Sequence, residues 1–286
     1  MHEIPNEEMA ALWNGASGRA WVEAQSLLDR TFEPIEALLV EAVAASAARS
    51  ILDIGCGSGA TTLAMARRLG VAARVTGVDI SEPLLTVARE RAARSASTAR
   101  FIRADAQTHA FEPVSFDMMV SRFGVMFFDD PTAAFANLYR AATPAGEVRL
   151  VVFRSVHENP FMTTAERAAA PLLAKLPPRK PDAPGQFAFA DPDRVRNILE
   201  ASGWSQVEFA PLDVQCRFPA ADLQRYFTRL GPLAQALRDT DEATRQRVVR
   251  DVRAAFEPFI IGTQVEFSAA CWMISARAAI NRFHPR

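Results

Sequence analysis

An α/β fold built on a doubly wound parallel sheet is the architecture this sequence predicts, and three observations carry the prediction. From Ser50 onward, short β-rich runs alternate with helical stretches. The runs Met118–Val120 and Val148–Phe153 are apolar on both pleat faces, as strands covered by helices on both sides must be. A glycine-rich turn, GCGSG over Gly55–Gly59, follows the first of the runs, where parallel sheets hold ligands.

The elements follow in order. Residues from about Asn6 to Ser46 set Trp, Leu, Val and Ile among charged residues at helical spacing, which predicts two amphipathic helices broken near Pro34. RSILDIG then reads as a strand and TLAMARRLG as a helix. RVTGVDI and PLLTVARERAARSA repeat the pair, RFIRAD and FDMMVS are further strands, PTAAFANLYRAAT is a helix and EVRLVVF a strand. After Phe153 the rhythm breaks into PLLAKLPPRKPDAPGQF, whose prolines preclude a regular element from about Pro177 to Pro184 and predict a surface insertion. DPDRVRNILEASGW restores a helix, with Asp191 as N-cap, Pro192 in the first turn and Gly203 as the stop. VEFAPLDV is a strand, the segment from about Ala221 to Phe256 is helical, and VEFSAACWMISARA closes the chain as a long β-prone run.

The 286 residues are long for one domain but ordinary for an α/β fold, so residues 1–286 are expected to form a single domain. A formal net charge of −1 gives no electrostatic reason to seek nucleic acid or an anionic membrane. Cys56, Cys216 and Cys271 are odd in number and lack CxxC spacing, which suggests a reducing cytoplasm and neither disulfides nor zinc. MHEIPNEEMAALW has no basic start followed by an apolar stretch, and no segment is long enough to span a bilayer. The histidines, His2, His109, His157 and His284, show no metal spacing, so no metal is expected.

The glycine turn favours a nucleotide-like ligand, because bare backbone lets a ligand approach closely. Asp79 lies 20 residues beyond Gly59, as a ribose-binding acid should in a dinucleotide site. Gly55, Gly57 and Gly59, however, give GxGxG and not GxGxxG, and no GK[ST] follows. They stand beside Asp53, whose carboxylate would repel a pyrophosphate and attract an ammonium group. A ligand with a ribose, a cationic end and no phosphates is expected, which describes S-adenosylmethionine.

The motifs DIGCGSG, GVDIS, RADAQ and FDMMVSRFGVMFF, in that order, resemble those of the class I S-adenosylmethionine-dependent methyltransferases, particularly the type 11 and quinone-biosynthesis branch. The resemblance covers nearly the whole chain. It implies a Rossmann-like, seven-stranded, mostly parallel sheet with an antiparallel final strand. It also implies an N-terminal helical lid (1–48), a cofactor-binding core (49–156), a helical insertion (157–190) and a C-terminal part with a helical cap (191–286). Gly55, Gly57 and Gly59 would border the methionine part, with Asp53 near its amino group. Asp79 would take the ribose hydroxyls, Ile80 the adenine face, and Asp105 and Ala106 the adenine edge. Ser121, Arg122 and Phe123 would floor the pocket and face the substrate. TPAGE, where the family often reads PGG, is expected to be a turn before the fifth strand.

Methyl transfer from a sulfonium needs alignment and dry surroundings more than a covalent nucleophile. If the acceptor is a phenol or carbon acid a general base helps, and His157, after the fifth strand, is the candidate, with Glu158 and Arg122 behind it. Trp13, Trp21, Phe123, Phe127, Phe128 and Phe161 are expected to form an apolar pocket for a small, flat or greasy acceptor. A helix face packed on the core would explain Trp13 and Trp21 equally well. A nicotinamide-dependent oxidoreductase and a non-catalytic cofactor-binding module stand as rival functions.

Overall fold

Helical spacing ahead of Ser50 produces three helices and not two: α1 (Glu7–Asn14), α2 (Ala16–Glu23) and α3 (Gln25–Ala44). The chain turns at Gly15 and Ala24, and Pro34 lies inside α3. A row with a spacing of four, Leu27, Thr31, Ile35, Leu39 and Val43, is buried along α3 on both sides of the proline. Pro34 itself faces solvent, where the hydrogen bond it cannot donate is least costly, so packing overrides the local break. α3 lies across the sheet and touches its fourth, fifth and sixth strands.

The computed structural model describes residues 6–173, 176, 179 and 183–279. His2, His284 and most of the Pro177–Pro184 run lie outside the described residues. Next in chain order come β1 (Ser50–Ile54), α4 (Ala60–Leu69), β2 (Arg74–Asp79), α5 (Glu82–Arg94), β3 (Arg100–Arg103), β4 (Phe116–Arg122), α6 (Pro131–Ala141) and β5 (Ala142–Phe153). α7 (Pro160–Ala169) and α8 (Pro192–Ala201) precede β6 (Trp204–Pro219); α9 (Leu223–Arg229), α10 (Gly231–Ala236) and α11 (Glu242–Ala255) precede β7 (Ile260–Ile261) and β8 (Gln264–Ala278). The sheet runs β3-β2-β1-β4-β5-β8-β6, with β7 folded back on β8. β1 to β5 are parallel, and β8 is antiparallel to both β5 and β6.

The chain winds outward from β1 to β3 and then returns to β4 on the other side of β1. That reversal leaves the carboxyl ends of β1 and β4 side by side, the place where doubly wound sheets form a crevice. The caps confirm the local reading: the Asp191 carboxylate accepts from the backbone N–H of Asp193 and Arg194, and Gly203 takes φ +95° after α8. Asp130 and Ser81 cap α6 and α5 in the same way.

One local expectation is corrected. TPAGE is not a turn before β5 but a bulge inside it: Phe116 pairs with Ala142 and Met118 with Glu147, and Ala145 carries the positive φ of +60°. Ahead of the proline-rich stretch, α7 buries Phe161, Met162, Thr163 and Thr164. Phe161 stacks on Phe267 with ring centroids 3.9 Å apart and meets Phe218, Tyr226, Phe256 and Phe259. An aromatic core of this density holds α7, α9 and α11 against β6 and β8.

Restoring an N–H at position 34 tests how far packing pays for the proline. Pro34→Ala is expected to stabilise the fold by about 1–3 kcal/mol. The midpoint of urea unfolding measures it, and a fall would mean that the α3 backbone needs the proline.

Candidate functional site

The loop after β1 is shaped by its glycines. Gly55, Gly57 and Gly59 adopt φ of +65°, +54° and +79°, the left-handed region that side chains avoid. A Cβ on Gly55 would stand 2.7 Å from Cα of Gly124, so the loops after β1 and β4 touch backbone to backbone. The end of β2 fixes this loop from outside: Oδ2 of Asp79 accepts from the Gly57 N–H at 2.7 Å and Oδ1 from the Ser81 N–H at 2.8 Å. Ser121 fixes it from beneath, donating its hydroxyl to the Ile54 carbonyl at 2.8 Å and accepting from the N–H of Gly124 and Val125.

A cavity opens over these strand ends. Of the residues predicted from sequence, Asp53, Gly55, Gly57, Asp79, Ile80, Asp105, Ala106, Arg122, Phe123, Phe127, Phe128, Trp13 and Trp21 all line it. Phe123, at φ +69°, is turned into place by its stack on Phe153, 4.3 Å between centroids. Gly59 and Ser121 do not line the cavity. The first starts α4 under the ring of Phe101, and the second is buried as the support just described.

His157, Glu158 and Phe161 lie elsewhere and are corrected. Asn159 bonds both the N–H and the carbonyl of Ala270 in β8, which swings the 155–158 turn outward and leaves His157 and Glu158 exposed and off the cavity wall. Glu158 is held by the Ser155 hydroxyl and by Arg154. Phe161 belongs to the separate aromatic core. The sequence reading also missed Asn6, Met9, Gln25, Leu28, Asp29 and Phe32 on the wall. The last four recur at i, i+3, i+4 and i+7 along α3, a stripe that could have been read as a cavity-facing edge.

α1 and α2 roof the cavity. Trp13 meets Trp21 and Phe127 edge to face, with centroids 5.4 and 5.1 Å apart. Asn14 donates to the Ile80 carbonyl at 3.0 Å and accepts from the Glu82 N–H at 2.9 Å, and the Ser81 hydroxyl donates to the Trp13 carbonyl at 2.7 Å. At the far end, Asn6 Nδ2 donates to Oδ2 of Asp105 at 3.1 Å. Among the described residues no group of three His, Cys, Asp or Glu could hold a metal ion.

Burial dominates the electrostatics. It lifts the Asp53 carboxyl to about 7, against a hydrogen bond from the Thr62 hydroxyl at 2.6 Å and the attraction of Arg122. Asp79 and Glu36 are raised by burial as well, and Cys56 is pushed well above the ordinary thiol range, which makes it an inert neighbour. Near neutral pH Asp53 is therefore only partly ionised, and a cation beside it would favour its charged form.

Comparison with known proteins agrees with this geometry. A family model described as a methyltransferase domain matches residues 51–146, the span from β1 into the β5 bulge. The nocamycin O-methyltransferase of Saccharothrix syringae is 30% identical over 200 residues, covering 67% of this chain and 71% of that one. The demethylmenaquinone methyltransferase of Staphylococcus haemolyticus is 25% identical over 170 residues, 55% of this chain and 69% of its own. A structure of a putative methyltransferase from Bacillus halodurans superposes with a TM-score of 0.55 at 16% identity, over 85% of this chain and 98% of that one, which shows a shared fold.

The raised Asp53 makes stability depend on pH. Between 3.8 and about 7 the folded chain keeps a proton that the unfolded chain has released, so this contribution is complete below the lower value and lost as pH rises through the upper one. Asp53→Asn is expected to flatten the fall, and unfolding midpoints from about pH 5 to about pH 8 measure it. Parallel profiles for the two proteins would show that Asp53 is ionised throughout.

Proposed function

The chain belongs to the class I S-adenosylmethionine-dependent methyltransferases, and on that premise we propose that it methylates a small, flat or greasy acceptor held beneath its N-terminal helices. The observation that carries the acceptor class is the aromatic lining: Trp13, Trp21, Phe32, Phe123, Phe127 and Phe128 line the same cavity as Asp53 and Asp79. The whole chain is read as one methyltransferase unit, with α1 and α2 as its lid.

The residues present fit the cofactor. Gly55 and Gly57, left-handed and on the cavity wall, clear the space that a methionine tail needs, and Asp53 can ionise against its ammonium. Asp79, whose oxygens already accept from two N–H groups, keeps lone pairs for ribose hydroxyls. Ile80 and Ala106 offer apolar contact to the adenine. When bound, S-adenosylmethionine supplies a sulfonium-activated methyl group open to direct displacement by an acceptor lone pair. The chain's own part is to align the acceptor against the aromatic wall and to exclude water, an orientation effect worth roughly 7–11 kcal/mol at best. His157 has no part in this reading, because its turn points away from the cavity.

A free small molecule, not nucleic acid, suits a chain of net charge −1, and three separated free thiols suit a reducing cytoplasm. No helix among the described residues is long and apolar enough to cross a membrane.

Two variants test the assignment. Asp79→Ala is expected to weaken S-adenosylhomocysteine binding by about 100-fold or more and also to lower the unfolding midpoint, because it strips partners from Gly57 and Ser81. Near-native affinity in calorimetry would contradict the ribose role. Trp13→Ala is expected to raise the acceptor KM by about tenfold or more, with turnover read as S-adenosylhomocysteine formed over a panel of phenols, quinols and amines. An unchanged KM for every accepted compound would remove the aromatic wall from the acceptor site.

A further inference from the structure

Asn6 occupies the N-cap position of α1 but does not cap it. No side-chain hydrogen bond joins it to the first turn, although a short amide at this position ordinarily accepts one. Its backbone stands at φ +69°, a conformation that asparagine tolerates better than most residues, so the backbone explains an asparagine here but not the direction of its side chain. The amide reaches instead across 99 residues to the Asp105 carboxylate, with Nδ2 donating to Oδ2 at 3.1 Å. The carboxylate oxygen is the acceptor in this bond, which assigns the nitrogen end of the amide and leaves Oδ1 as its remaining acceptor.

That Oδ1 is sealed from solvent and has no hydrogen-bond partner among the described residues, while Asn6 lines the same cavity as Asp105 and Ala106. A buried amide oxygen without a donor is costly, and a ligand that brings a donor to it removes the cost. Asn6 stands beside Asp105 at that ligand edge, since the Asp105 carboxylate accepts from the Gln107 N–H at 2.9 Å through Oδ1 and from Asn6 through Oδ2. Resting on the cofactor reading above, we propose that Asn6 Oδ1 accepts from the exocyclic amine of the cofactor's adenine, so that the first residue of the lid, and not only the strand-end acid, distinguishes an amino purine from an oxo purine. An oxo group at that position would set a carbonyl oxygen against the amide oxygen, two acceptors with no proton between them. The same contact ties occupancy of the adenine site to the seating of α1, since Asn6 leads directly into that helix.

Isothermal titration of the full chain with S-adenosylhomocysteine and with S-inosylhomocysteine tests this without reference to turnover. The unchanged protein is expected to prefer the adenosyl compound by about 100-fold, and Asn6→Ala to narrow that ratio by about tenfold. Asn14→Ala, which loosens the lid at Ile80 and Glu82, is expected to weaken both ligands alike and leave the ratio unchanged. A ratio in Asn6→Ala within about twofold of the unchanged protein, with S-adenosylhomocysteine still bound, would overturn the role of Asn6 and leave the cofactor reading standing. No binding of S-adenosylhomocysteine by the unchanged protein would overturn both.

Discussion

One buried carboxylate holds the two sides of the site in register. Asp79 ends β2, yet its oxygens are spent on the N–H of Gly57 in the neighbouring loop and on that of Ser81 at the start of α5. A loop with three glycines in left-handed conformations has little order of its own and surrenders more backbone freedom on folding than any other sequence would. Its shape must be imposed from outside, and two charge-assisted bonds to one carboxylate impose it. Burial works against that carboxylate and the N–H bonds work for it, with burial the larger effect. The contact of Gly55 with Gly124 then follows, because the β1 loop can lie flat on the β4 loop only when both are bare backbone.

The roof depends on the same strand end. Ser81 accepts from the Leu84 N–H to cap α5 and donates to the Trp13 carbonyl, so a single hydroxyl serves the floor and the lid. Gly18 in α2 passes close enough to that hydroxyl for an added Cβ to lie 3.1 Å from it, which leaves no room for a side chain. Asn14 adds bonds on either side of Ser81, to Ile80 and Glu82. α1 and α2 and the end of β2 are thus tied together through the same residues, and Trp13 adds edge-to-face contacts with Trp21 and Phe127.

Much of this was legible in the sequence because it is local. Strands such as SILDI and RVTGVD, the Asp191 cap and the Gly203 stop depend on residues within a few positions of one another. The strand ends and their motif residues come together because the winding of a parallel sheet is nearly determined once alternation is recognised. What was not legible depends on distant partners. Pro34 reads as a break until the buried row of α3 is known to pack over the sheet. His157 reads as a base until Asn159 is seen to pin its turn to Ala270, 111 residues away. Phe161 reads as a pocket residue until Phe267 claims its face. Asn6 carries no motif at all, and its bond to Asp105 spans most of the first hundred residues.

In the proposed cofactor site, a preference for a cation over a phosphate would take a different form from the one the formal charges suggest. Asp53, Asp79 and Glu36 share one low-dielectric region, offset by Arg122, and burial raises the first of them to about 7. Raised to about 7, Asp53 is only partly ionised near neutral pH, so discrimination would not rest on a full standing negative charge. It rests on what each ligand makes the region do. In the proposed site, a ligand ammonium beside Asp53 would favour the carboxylate, the proton would pass to solvent, and the resulting pair would be mutually neutral. A pyrophosphate would add negative charge to carboxylates that burial already disfavours as anions, and the glycine loop offers no lysine to offset it. On the proposed cofactor reading, the raised Asp53 would let the crevice avoid a full buried anion while keeping the anion within reach of a cationic ligand.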